Sequence, residues 1–283
     1  MTGVIDVGGG LRGIYGAGVF DRCLDDDVYF DCCIGVSAGS ANTASFLARQ
    51  KGRNYLFYHD YSFRKEYMSF QSLIKTGSYI GLDYIYGTLT NSGGENPINY
   101  ENIRNYGGIY NVVSTEAKTA EPVYFTKNNI SQDNYRILGA SSCIPIVCRP
   151  FDINGKKYYD GGIADPVPVE RAIELGCDKI VLILTRPVNE KKKAGADAKA
   201  AMLMKKRNPA ISKKLAERAD AYNKSVSRAL ELQKEGRCLI VAPDDCCGIT
   251  TLSKNAQSLD MLYKKGYNDG EKIKSFIGKK VSL

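Results

Sequence analysis

Gly35-Val36-Ser37-Ala38-Gly39 stands between a run rich in β-branched, aromatic and cysteine side chains (29–36) and a small-residue segment with apolar spacing that continues through Phe46 and Leu47. The first reads as a buried strand, the second as a helix packed tightly on a sheet. A serine on such a sharp strand-to-helix turn, flanked by small residues, has the pattern of a nucleophile elbow, where a substrate carbonyl can approach the hydroxyl. The helix N-terminus would add free N–H groups and partial positive charge near the serine oxygen. A plain helix N-cap is the other reading of Ser37. The missing partner is a base. His59 is the only histidine and 224 residues follow it without another, whereas the usual hydrolase triad of this elbow places its histidine last. A hydrolase built on Ser37 must use something else.

Upstream, residues 3–7 read as a strand that runs into Gly8-Gly9-Gly10-Leu11-Arg12-Gly13. Three successive glycines leave backbone N–H groups unobstructed and accept positive φ angles that other residues resist. Such a turn suits an oxyanion hole, whose donors are worth roughly 3 to 4 kcal/mol each when deleted. Arg12 either adds positive charge there or braces the loop. Gly8, Gly10 and Gly13 also fit Gly-x-Gly-x-x-Gly, so a dinucleotide site is a second reading. It expects an acidic residue at the end of the second strand, and Asp31 precedes that strand's apolar core instead. A phosphate-binding P-loop lacks its lysine, since Ile14 follows Gly13.

A third motif, Asp160-Gly161-Gly162, follows an expected hairpin, 149–153 and 156–159, turned by Asn154-Gly155. A carboxylate at a strand end with only glycines after it can face a cleft. Within hydrogen-bonding reach of Ser37 it would serve as general base. An Asp-Gly turn bonded to its own backbone is the alternative.

Taken in order, these three motifs resemble the patatin-like phospholipase family, whose members use a Ser-Asp dyad and no catalytic histidine. The resemblance covers residues 3 to about 185. It implies a patatin-like fold with Ser37 as nucleophile, Asp160 as general base and Gly8, Gly9, Gly10 and Arg12 in the oxyanion loop. Gly35, Gly39, Gly161 and Gly162 shape the elbow and turn. Ala140-Ser141-Ser142-Cys143-Ile144-Pro145 is similar to the family's segment ahead of the aspartate, and Asp165-Pro166-Val167-Pro168 to the helix start after it. Val7 departs from the pattern, because many members carry aspartate directly before the glycines. The implied reaction is hydrolysis of lipid carboxylic esters, of phospholipase A or lysophospholipase type, through an acyl-enzyme. A soluble-ester hydrolase, an acyltransferase, or a non-catalytic lipid- or nucleotide-binding protein are the alternatives.

The 283 residues, 43% hydrophobic and 25% charged, suit a single globular catalytic domain over 1–283. Strands are expected at 3–7, 30–36, 109–115, 122–127, 149–153, 156–159, 179–185 and 237–242, and helices at 16–25, 38–50, 131–139 and 166–176. Their alternation predicts an α/β/α three-layer sandwich with a mostly parallel central sheet. The aromatic-rich stretch 55–105 suits an acyl-binding wall or an ordinary core, with the core reading favoured. His59 is expected to be structural.

Residues 190–235 hold 10 Lys and 3 Arg against 6 acidic residues, nearly all of the chain's +8 balance. A helix from Pro209 to just before Gly236 is expected, with Ile211, Leu215, Ala219, Tyr222, Val226 and Leu230 as its apolar stripe. Its lysines predict peripheral contact with anionic membrane, about 1 kcal/mol each near such a surface, or a plain solvated face. Residues 189–200 read as a flexible loop, and 255–278 as one or two helices. Nine cysteines without a Cys-x-x-Cys pattern, and no signal-peptide pattern at residue 1, predict reduced thiols and a cytoplasmic location. Neither a metal nor another cofactor is expected, and nucleic acid is not an expected partner.

Overall fold

The computed structural model describes residues 1–278. All eight expected strands form, within two residues of their expected bounds: β1 Thr2–Asp6, β2 Cys32–Val36, β3 Ile109–Glu116, β4 Pro122–Thr126, β5 Phe151–Ile153, β6 Lys156–Asp160, β7 Lys179–Ile183 and β8 Cys238–Val241. The helices are α1 Ile14–Asp25, α2 Ala38–Leu47, α3 Arg53–His59, α4 Phe70–Thr76, α5 Tyr100–Asn105, α6 Arg136–Ser141, α7 Val169–Glu174, α8 Gly195–Met204, α9 Pro209–Lys234, α10 Ala256–Asp269 and α11 Glu271–Ile277.

One eight-stranded sheet results. Strands β3, β2, β1, β7 and β8 run parallel, while β4, β5 and β6 join antiparallel at one end. Successive side chains on a strand face opposite ways, and each central strand is apolar on both faces, as a doubly covered sheet requires. Val4, Cys33, Val112 and Val181 pack with α1, α2, α6 and α10. Their neighbours Ile5, Ile34, Val113 and Leu182 pack with α7 and α9. The mixed α/β sandwich is therefore three layers deep.

Three expectations are corrected. The helix expected at 131–139 begins only at Arg136. Ser131 and Asn134 close a turn instead, with Asp133 at φ 61° accepting the Ser92 N–H at 2.6 Å. The expected loop 189–200 contains the start of α8, which is held by the buried Asp197 in ion pairs with Lys192 and Arg218. On α9 the buried stripe is Ile211, Leu215, Ala219, Tyr222, Val226, Ala229 and Leu232. Leu230 is exposed, because repeated steps of four drift off one face of a 3.6-residue turn and a step of three restores it.

Among the described residues, no helix is long and apolar enough to cross a membrane.

Candidate active site

The register of β3 brings Ser37 and Asp160 together. Along one edge β3 pairs with β4 from Asn111 to Thr115; along the other it pairs with β2 up to Val113, opposite Val36. At Ser114 that second edge passes to β6, and Ser114 lies opposite Asp160. The ends of β2 and β6 thus meet head to head across two consecutive residues of β3. Ser37 follows Val36 directly. Its hydroxyl donates to Asp160 Oδ2 at 2.6 Å, and both residues are buried.

Each partner is fixed by backbone bonds. Ser37 caps α2 at φ 56°, ψ −132°, a conformation costly to a residue with a side chain, on the order of 1 to 3 kcal/mol. Its N–H donates to Ser141 Oγ at 2.9 Å, and Ser141 Oγ donates to the Val113 carbonyl at 2.6 Å. Ser40 Oγ closes the elbow on the Ser37 carbonyl at 2.7 Å. At Asp160, Oδ1 accepts the Gly162 N–H at 2.8 Å, which leaves Oδ2 for Ser37. A side chain at Gly161 would fall on the Val113 carbonyl, and one at Gly35 would come within 2.5 Å of Thr43 Oγ1.

The glycine loop lies against this elbow. Gly8, Gly9 and Gly10 all have positive φ, at 64°, 132° and 62°. The Gly8 N–H donates to Asp6 Oδ1 at 2.8 Å, so Gly8 shapes the loop and has no N–H to offer a ligand. Among the described residues, the N–H groups of Gly9 and Gly10 have no acceptor. The anchoring contact put in question by Val7 is made by Asp6 instead, which also accepts from Asn42 Nδ2 at 2.8 Å. Full burial pushes the Asp6 carboxyl up to about 6, against the opposing pull of those two donors. Gly39 lets α2 approach closely, since a Cβ there would sit 2.8 Å from the Asp6 carboxyl carbon.

Electrostatics divide the surroundings of Ser37 in two. On one side is an apolar cavity that includes Phe57, Tyr58, Met68, Ile80, Ile85 and Leu138. On the other is a cleft bearing Arg12, Arg186, Lys192, Lys193, Lys199 and Arg218, with Asp160 and Asp197 as its acids. Burial raises the Asp160 carboxyl above the ordinary carboxylate value, and the positive charge of Arg218 pulls it partway back. Arg218 is held by the Gly162 carbonyl and by Asp197 Oδ1 at 3.2 Å. Arg12 lines the cleft; burial and Arg186 lower its pKa, and its Nε is buried without a partner among the described residues.

Sequence reasoning missed Asp6, Ser141 and the Arg218–Asp197–Lys192 group. Asp6 was visible two residues before the glycines. Ser141 lay inside a segment noted for resemblance, but its bond to Ser37 spans 104 residues. Nothing local marks Arg218. His59 lines neither the cavity nor the cleft; its ring stacks on Tyr55 at 4.8 Å and its Nδ1 meets Asp60 Oδ1 at 2.6 Å.

Comparison with known proteins gives two family matches, a patatin-like phospholipase model over residues 7–173 and a domain of unknown function (DUF6363) over 208–279. The second covers α9, β8, α10 and α11, and β8 is an edge strand of the same sheet. The chain is 29% identical over 185 residues to the uncharacterized protein YjjU of Escherichia coli (strain K12), an alignment covering 64% of this chain and 50% of that protein. It therefore spans about half the length of this curated relative. VipD from Legionella pneumophila aligns with 96% of this chain and 66% of its own at 16% identity, with a TM-score of 0.47. With more than half of its length matched by the family model, the chain belongs to the patatin-like phospholipase family.

Proposed function

We propose that this protein is a serine acyl hydrolase that cleaves lipid carboxylic esters with a Ser37–Asp160 dyad. The observation that carries the reading is the 2.6 Å bond from Ser37 Oγ to Asp160 Oδ2 in a buried elbow. Ser37 Oγ attacks the ester carbonyl as its proton passes to Asp160. Asp160 then gives that proton to the departing alkoxide, leaving an acyl-Ser37 ester. Water attacks this ester while Asp160 takes its proton, and the proton returns to Ser37 as the acid leaves. Splitting the reaction in this way replaces one high barrier with two lower ones. The N–H groups of Gly9 and Gly10 are assigned to the oxyanion, with Arg12 supplying positive charge nearby.

The apolar cavity suits an acyl chain and the basic cleft an anionic headgroup, which favours a phospholipid over a soluble ester. Met202 and Leu203, exposed on α8 among lysines, favour peripheral contact with an anionic lipid surface. The single catalytic domain expected over 1–283 is kept for the described residues 1–278, because β8 and α9 complete the sheet and its second covering layer; residues 279–283 lie outside the described residues.

A fluorophosphonate probe is expected to label the wild type and not Ser37→Ala, and vesicles containing anionic phospholipid should release fatty acid faster than zwitterionic ones. A folded wild type that takes no label would return the chain to the binding-protein reading.

The sign of the pH dependence follows from Asp160, which works as a base only when ionised. Its raised pKa sets an acid limb above the ordinary carboxylate range. Arg218→Met removes the charge that holds this pKa down, so the limb should move to higher pH. A limb that stays in place, measured as kcat/KM against pH, would detach Arg218 from the reaction.

A further inference from the structure

Among the described residues that line the apolar cavity beside Ser37, one is charged. Arg53, the first residue of α3, is 6% exposed and lines that cavity. Its guanidinium carries five N–H donors and no acceptor. Nη1 donates to Ser45 Oγ at 3.1 Å, while Nη2 donates to Thr90 Oγ1 at 3.0 Å and to the Asn96 carbonyl at 2.9 Å. The group also stacks 4.4 Å from the Phe57 ring centroid. Its Nε is buried with no hydrogen-bond partner among the described residues. Among the described residues no carboxylate forms an ion pair with it, and burial lowers its pKa to about 10, with tyrosines as the groups that pull it back. Buried charges are ordinarily paired, because a charge taken out of water without a counter-ion is costly. Among the described residues its hydrogen-bond partners are all neutral.

The position of this charge relative to Ser37 follows from α2. Ser45, which accepts from Arg53, lies eight residues beyond Ser37 along that helix, roughly 12 Å at the helical rise. A medium-length acyl chain bound as its ester to Ser37 would have its far end in that region. Tyr86, on the same cavity wall, is fixed by a 3.0 Å bond to Ser142 Oγ.

We infer that Arg53 is a specificity residue for acyl chains that end in a carboxylate, so that the preferred substrates are ω-carboxyacyl esters. This rests on the acyl-hydrolase reading of Ser37. The carboxylate would supply the missing counter-charge and accept from the free donors of Arg53, while the methylenes remain in the apolar cavity. A plain alkanoyl chain of the same length fills the same space and leaves the guanidinium unpaired.

The test compares the 4-nitrophenyl monoester of nonanedioic acid with 4-nitrophenyl nonanoate on the full chain. The wild type should favour the carboxylated ester in kcat/KM, and that preference should fall at least tenfold in Arg53→Met and by less in Arg53→Lys, which keeps the charge. Equal preference in wild type and Arg53→Met, or a wild-type preference for nonanoate, overturns the inference while leaving the hydrolase reading intact. If neither ester is cleaved by folded wild type, the hydrolase reading fails and binding decides the role of Arg53. Calorimetry with 9-amino-9-oxononanoate and nonanamide, both uncharged at the ester-mimicking end, should then show tighter binding of the carboxylate. Equal affinities for the wild type overturn the inference even if Arg53→Met does not fold.

Discussion

Asp160→Asn should lower kcat/KM on a lipid ester by about 10³-fold, within the usual contribution of a positioned general base, while the folded protein keeps or gains thermal stability. Asparagine has the same shape, and its Oδ1 can still accept the Gly162 N–H that Asp160 accepts at 2.8 Å. What it cannot do is take the Ser37 proton. The stability half of the prediction follows from linkage. Burial raises the Asp160 pKa in the folded state. Its contribution to stability is therefore greatest below the unfolded carboxylate pKa and is lost as pH rises through the folded value. At neutral pH the ionised carboxylate is the less stable choice, and a neutral amide relieves it. The gap in Tm between Asp160→Asn and wild type should shrink as pH falls into the carboxylate range. A variant that keeps more than a tenth of wild-type kcat/KM would remove Asp160 from the dyad. A variant that unfolds at lower temperature at every pH would show instead that the carboxylate holds the two strand ends together.

Gly8→Ala is expected to cost about 3 kcal/mol or more in stability, together with most of the activity of the protein that still folds. Two effects add here. Gly8 has φ 64°, and a side chain in the left-handed region costs roughly 1 to 2 kcal/mol. A Cβ would also fall on the Val36 carbonyl and lie 2.7 Å from the Gly39 nitrogen and 2.9 Å from the Ala38 nitrogen. Those atoms are the elbow backbone itself, which cannot shift without moving Ser37, and overpacking of this kind adds about 1 to 3 kcal/mol. Gly52→Ala is the matched control. Gly52 has φ 76° and nothing within 4 Å of its virtual Cβ, so it should show only the conformational cost. Urea unfolding of both variants separates the contributions. Equal destabilisation would mean that the glycine loop and the elbow are not rigidly packed.

Much of the candidate site's geometry was legible because its pieces are local. A strand, a turn and a helix N-terminus with small residues at fixed positions announce themselves within five or six residues. That held for Gly8, Gly9 and Gly10, for the turn at Ser37, and for Asp160 at the end of β6. The lack of a usable histidine carried equal weight, since it turned attention to a carboxylate. All eight strands were legible for a similar reason: the short apolar runs are punctuated by glycine, proline and asparagine. The helix expected at 131–139 and the loop expected at 189–200 differ from the structure because partners outside each segment help decide them. Asp133 bonds to Ser92, 41 residues away, and Asp197 to Arg218, 21 residues away.

The sequence by itself determined which residue types are available for chemistry, a serine on an elbow and an aspartate before two glycines, and ordered them along a chain of alternating strands and helices. Only the tertiary structure decided that they meet. Ser37 and Asp160 are 123 residues apart, and their contact depends on β6 taking over the edge of β3 at Ser114, one residue beyond the place where β2 leaves it at Val113. The same holds for the charges around them. Arg218 beside Asp160 and Arg53 in the apolar cavity are ordinary arginines on helices until packing removes water from both. Strand pairing and burial are non-local properties of the folded chain, and the free energy of a charge depends on what surrounds it.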